Sequence, residues 1–151
     1  MKLSNHLTLA EMIRSDSAKR LGISNQPTSE HLDNMKELAI NVFEPIREHF
    51  GVPIYISSGY RSEALNKAVK GSKSSQHCKG QAMDIDMDGS GLISNKDVFK
   101  YIRENLRFSQ LIWEFGDSNN PDWVHVSYDS TNRGQVLKAI KKGKTTQYIP
   151  Y

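Results

Sequence analysis

Ser75-Gln76-His77-Cys78-Lys79-Gly80-Gln81-Ala82-Met83-Asp84-Ile85-Asp86-Met87 is the stretch on which the reading of this chain turns. Its second half, Gln81 to Met87, alternates strictly and predicts a half-buried strand. Successive side chains of a strand point to opposite faces. Met83, Ile85 and Met87 therefore share one face, suited to a core, while Ala82, Asp84 and Asp86 share the other. Two carboxylates on one face of a central-looking strand need a partner, because burying unpaired charge is costly. A metal ion is such a partner. His77 stands in the loop just ahead, and Gly80 lets that loop turn sharply into the strand.

A second strand repeats the logic. In Trp123-Val124-His125-Val126-Ser127-Tyr128, the residues Val124, Val126 and Tyr128 take one face, and Trp123, His125 and Ser127 take the other. His125 thus projects from a polar face between two core valines. Two imidazoles, His77 and His125, and one carboxylate, Asp84, make three protein ligands. Zinc held by three protein ligands keeps a fourth position open for water, the mark of a catalytic site. The bound water needs a general base, and Asp122, in the turn entering the second strand, is placed to reach it. A single strand histidine is usually structural and a single aspartate often pairs with a lysine, so the case rests on the combination.

Outward from these strands the signals are ordinary. Thr8-Leu9-Ala10-Glu11 fits a capping box opening a short helix. Gly22 and Asn25-Gln26-Pro27 mark a loop. From Thr28 to about Phe50 apolar residues recur at helical spacing, and Pro45 predicts a kink or a break there. Pro53 to Tyr60 reads as a strand, Ser62 caps a short helix to about Lys70, and residues 71 to 80 are loop. Ser94-Asn95-Lys96-Asp97 opens another helix, and Leu111 to Phe115 is a further strand. Beyond Asn132, Val136, Leu137, Ala139 and Ile140 fit a helix, while Lys142-Gly143 suits a hairpin turn; both stay open. The class is α+β: N-terminal helices packed on a small, mainly antiparallel sheet, in one domain over residues 1–151.

Composition narrows the chemistry. The chain has 151 residues, 37% of them hydrophobic and 25% charged, which suits one soluble domain. No apolar run is long enough to span a bilayer, so no membrane insertion is expected. The opening residues lack the apolar core of a secretory signal. The expected location is the cytoplasm as synthesised, unless another agent releases the protein. The single cysteine, Cys78, excludes both an intrachain disulfide and a zinc site of several cysteines, so metal ligands must be His and carboxylate. Net charge is +3, with Lys138, Lys141, Lys142 and Lys144 clustered near the end. No aromatic residues interleave with this cluster in a nucleic-acid motif, and no nucleic-acid partner is expected. The bland reading is a solvated face; the functional one is attraction to an anionic partner.

Ser75-Gln76-His77-Cys78-Lys79-Gly80-Gln81-Ala82-Met83-Asp84 matches S-x-H-x-x-G-x-A-x-D, which resembles the zinc-binding signature of the D-Ala-D-Ala carboxypeptidase family, a fold shared with the hedgehog signalling domain. Asp122-Trp123-Val124-His125 resembles that family's second motif, and Ser57-Ser58-Gly59-Tyr60-Arg61-Ser62 a third. The opening, with Leu9-Ala10-Glu11 and Glu44-Pro45-Ile46-Arg47, is similar to compact phage and prophage members. The resemblance implies one zinc per chain on His77, Asp84 and His125, with Asp122 as general base. It implies that Arg61 binds a substrate carbonyl or carboxylate and stabilises the oxyanion, and that Ser75 helps hold substrate. The implied substrate is a peptidoglycan stem peptide, cut in the manner of a D-Ala-D-Ala carboxypeptidase or an L-Ala-D-Glu endopeptidase by a monomer.

Two other readings stand beside the enzyme: an inactive zinc-containing wall-binding module, and a phage structural protein of the same fold. Loss of the base would be the sign of a dead site. Asp84-Ile85-Asp86-Met87-Asp88-Gly89 also approaches a calcium-binding EF-hand loop, but Asn95 replaces the bidentate Glu and the preceding segment reads as strand. An acidic turn is the plainer reading.

Overall fold

Side chains that satisfy the first free amides of each helix fix where the helices begin. The computed structural model describes residues 1–151, which open with a small hairpin, β1 (Lys2–Ser4) and β2 (Leu7–Thr8), that the sequence pattern does not announce. Thr8 then accepts from the Glu11 amide while the Glu11 carboxylate returns to the Thr8 amide, the expected capping box, and α1 (Leu9–Ile13) follows. Ser15 caps a further short helix, α2 (Asp16–Leu21), and Thr28 caps α3 (Ser29–Leu38). No loop separates the two halves of the long helical stretch at Pro45. Instead α3 widens into one π-helical segment, Ala39–Phe43, and continues as α4 (Glu44–Phe50) with Pro45 in its first turn. The wider turn leaves room for a proline where an α-helix would lose a hydrogen bond and clash.

After β3 (Ile56–Ser58), Ser62 caps α5 (Glu63–Ala68), and a 3-10 turn, Gln76–Lys79, leads into β4 (Ala82–Ile85). Ser94 and Asp97 form a second capping box on α6 (Asn95–Asn105). β5 (Gln110–Glu114), β6 (Trp123–Ser127), β7 (Gln135–Lys142) and β8 (Thr145–Pro150) complete the chain. The open question after Asn132 is thus settled as a hairpin. Its partner is β5: the two pair in parallel, Ile112 opposite Leu137, a long-range contact with no short-range signature.

The main sheet has the order β3-β4-β6-β5-β7-β8, and every neighbouring pair except β5–β7 is antiparallel. One face carries Ile56, Met83, Ile85, Leu111, Trp113, Val124 and Val126 into a single core with Met35, Leu38, Val42, Phe43 and Ile46 from the long helix and Val98, Phe99 and Ile102 from α6. Burial of this apolar area, at about 25 cal/mol per Å², is the main force holding the helices to the sheet. The fold is therefore α+β as read from sequence. The helices cover one face only, which leaves the polar side chains of the other face free to build a site. No helix is long and apolar enough to cross a membrane.

The acidic turn after β4 is structural. Asn95, fully buried, donates to Asp86 Oδ1 and to the carbonyls of Pro121 and Asp122, and accepts from the Met87 amide. A strand precedes this turn, so the EF-hand reading fails on the fold.

Candidate metal centre and cleft

Cross-strand register assembles the site. Asp84 pairs with His125 between β4 and β6, and His125 pairs with Ile112 of β5. Directly paired residues share a face, so Asp84 and His125 meet on the side away from the core. His77 arrives from the 3-10 turn. Gly80 ends that turn at φ 73°, and a Cβ there would collide with the His31 carbonyl of α3. The position thus excludes any side chain on two counts, conformation and space.

The three side chains converge. His77 Nε2 lies 3.3 Å and His125 Nδ1 lies 3.0 Å from Asp84 Oδ1, and the three ligand atoms all lie within 4.8 Å of one another. Ligands about 2.0–2.2 Å from a tetrahedral zinc sit roughly 3.3 Å apart, so the set fits that ion with little movement. His77 is buried, and its Nδ1 donates to the Gly59 carbonyl at 2.7 Å, which fixes the tautomer and leaves Nε2 for a metal. Gly59 is close-packed in turn: a Cβ there would strike the Met12 carbonyl of α1. Burial raises the Asp84 pKa, but His77 and His125 outweigh it and hold the carboxyl well below the usual carboxylate range. A carboxylate kept ionised between two imidazoles is the donor set that a divalent cation requires.

These residues lie in an open cleft of about 670 Å³. Arg61 and Ser75 line it as the sequence reading expects. Arg61 Nε is buried without a hydrogen-bond partner, an orphan donor beside the metal site. Buried Asn25 holds the backbone on both sides of this arginine: its Nδ2 donates to the carbonyls of Ile13 and Tyr60, and its Oδ1 accepts from the Ser62 amide. The Arg61 amide itself donates to the His77 carbonyl at 3.1 Å. Ser75 accepts from the His77 amide and so caps the ligand-bearing turn as well as lining the cleft.

The structure does not bring Asp122 to the wall of the cleft. Asp122 is exposed; its amide donates to the Glu114 carbonyl and its carbonyl accepts from Asn95. Trp123 and His125 of β6 line the cleft, whereas Asp122 lies in the turn before the strand. Glu114 is the one carboxyl besides Asp84 that lines the cleft. It pairs with Trp123 across β5–β6, is 6% exposed, and lines the cleft. Burial pushes its pKa up to about 7, against the pull of His125 and with the Asp84 charge adding to the rise. In the sequence Glu114 is the acidic residue of a neighbouring strand and the other candidate base should Asp122 not act. Tyr148 of β8 also reaches this field: burial, then the charges of Glu114 and Asp84, raise its phenol pKa.

A metal-ready His-Asp-His set, a buried carboxyl titrating near neutrality and an unpartnered guanidinium in one cleft describe a hydrolytic site. A comparison with curated proteins gives no match. Residues 5–127 match the family described as Peptidase M15, a span that contains both strands of ligands, Arg61 and Glu114, and the chain belongs to that family of zinc peptidases.

Proposed function

We propose that this chain is a zinc peptidase that hydrolyses peptide bonds in the stem peptides of bacterial peptidoglycan. The observation that carries the reading is geometric: the buried carboxyl of Glu114 lines one open cleft with the convergent side chains of His77, Asp84 and His125. Zinc on three protein ligands supplies a Lewis acid with an open position and brings the pKa of water toward about 7.

The chain's own residues do the rest. Glu114 takes a proton from the water as its oxygen bonds to the peptide carbonyl carbon. The C–N bond then breaks as Glu114 returns that proton to the departing amine, giving one carboxylic acid and one amine. Arg61 lines the cleft with no ion-pair partner, so its guanidinium can meet a substrate carbonyl or carboxylate, and charge growing on the carbonyl oxygen strengthens that contact in the transition state. His77 stays oriented by the Gly59 carbonyl, which accepts from its Nδ1 and leaves Nε2 for the metal. The presence of Glu114 takes over the argument that Asp122 carried against a dead, binding-only site.

Mass spectrometry of peptidoglycan fragments tests this. Incubation with the zinc-loaded protein should yield shortened stem peptides with new termini, and the masses identify the bond. Fragments left unchanged by the zinc-loaded protein would sink the proposal.

A further inference from the structure

We infer that the β7–β8 hairpin selects the substrate, with Lys141 and Tyr148, helped by Arg133 at its entrance, holding a carboxylate of the bound peptide. The inference rests on the peptidase reading for the kind of molecule bound, and on the geometry of the hairpin for the rest. The family match ends at Ser127, the last residue of β6. Arg133, Lys141 and Tyr148 all follow it, yet all line the same cleft as the metal-ready residues.

Register explains how they reach it. Glu114 pairs with Ala139 of β7, and Ala139 pairs with Tyr148 of β8. These three therefore stand in one row on the cleft face, with a fully buried alanine in the middle. Ala139 itself is covered, and the cleft wall here is made by Glu114 and Tyr148. Lys141 stands two residues beyond Ala139, on the same face, opposite Thr146. Its Nζ lies 4.8 Å from the centre of the Phe115 ring, which holds the ammonium beside the end of β5. Phe115 adopts φ 58°, a conformation unusual for a residue with a Cβ, and lines the cleft.

Charge completes the argument. Arg61, Lys70, Arg133 and Lys141 line the cleft, and none is ion-paired with a carboxylate. The only carboxylates among the lining residues are Asp84, engaged by two histidines, and Glu114, so four cations face two acids there. A wall of free cations and a phenol suits an anionic oxygen pair, not a neutral or cationic group. A stem peptide offers two sources of that chemistry, its C-terminal carboxylate and the α-carboxylate of its D-Glu.

Calorimetric binding to the zinc-loaded full chain carrying Glu114→Gln, which binds without cutting, tests the wall. The probes are L-Ala-γ-D-Glu-L-Lys-D-Ala-D-Ala, its C-terminal amide, and its D-Glu α-amide. One amidation should weaken binding about three- to tenfold, and which one identifies the carboxylate. Adding Lys141→Ala should weaken the free acid by a similar factor and abolish the difference between acid and amide; Lys141→Arg should restore it, and Tyr148→Phe should narrow it. An unchanged acid–amide difference in Lys141→Ala, equal binding of all three probes, or no binding would overturn the inference. Failure of the peptidase reading looks different: the unsubstituted zinc-loaded chain would cut none of the probes while the carboxylate discrimination persists.

Discussion

Glu114 of β5 faces Trp123 of β6 across an antiparallel pair, and this pairing puts the glutamate, rather than Asp122, on the face of Asp84 and His125. Asp122 contributes only backbone to that neighbourhood. Glu114→Gln keeps the shape and removes the proton acceptor. We expect zinc content and fold to persist and peptide hydrolysis to fall about two to four orders of magnitude. Asp122→Asn should leave hydrolysis within a few-fold of the parent. Steady-state rates and metal analysis of the two variants decide between the carboxylates, and the opposite pattern would restore Asp122 as the base.

Metal content offers an independent check. One zinc per chain should be found after purification without chelator, and His125→Ala should lose it. A ligand that binds only the native state stabilises it, by about 3 kcal/mol at a hundredfold excess over Kd. Zinc added to the stripped protein should therefore raise Tm, and His77→Ala should abolish the rise. No rise in the unsubstituted chain would show that His77, Asp84 and His125 serve the fold alone.

The raised Glu114 pKa has a consequence for stability that runs against the usual carboxylate trend. In the metal-free native state the group titrates near 7, against 4.5 for an ordinary glutamate. Between those values the folded chain binds more protons than the unfolded one, so stability falls as pH rises from about 4.5 to about 7, by on the order of 3 kcal/mol. Asp84 acts in a different window: its depressed pKa contributes stability above the ordinary carboxylate range that is lost on acidification. Denaturant melts of stripped protein across this range should show the decline, and Glu114→Gln should flatten it. Zinc should reverse it, since a nearby dication favours the ionised carboxylate. A flat profile in the unsubstituted stripped protein would mean that water reaches Glu114.

Much of the site was legible because its ligands announce themselves through alternation. Asp84 falls out of step with Met83 and Ile85, and His125 out of step with Val124 and Val126, and the period of two is a local property. Caps were legible for the same reason: Thr8 with Glu11, and Ser94 with Asp97, lie within one helical turn. What is not legible depends on pairing between distant segments. Asp122 precedes His125 by three residues, a local relation, whereas Glu114 comes to the cleft only through the pairing of β5 with β6. The β7–β8 hairpin stayed ambiguous because its residues suit a helix equally well until the free edge of β5 is available. Asn25 read as a loop marker because only the folded chain brings Ile13, Tyr60 and Ser62 around it.

Asn25 also yields the last prediction, because it separates holding an arginine from being one. Its amide group is buried and makes three hydrogen bonds, two of them to the residues flanking Arg61. Asn25→Ala strips one amide and two carbonyls of their partner inside the protein. A buried polar group left unsatisfied costs about 1–3 kcal/mol, so the variant should melt several degrees lower. The functional effect should go further than that loss. Arg61 would keep its charge but not its place, and an oxyanion donor displaced by about 1 Å loses much of its effect on the transition state. We expect kcat to fall at a temperature where the variant is fully folded, with zinc retained, since His77, Asp84 and His125 are untouched. Arg61→Ala should remove about a hundredfold or more, and adding Asn25→Ala to it should cost stability but almost no further activity. If the two losses of activity simply multiply, Asn25 acts on the reaction by a route other than Arg61.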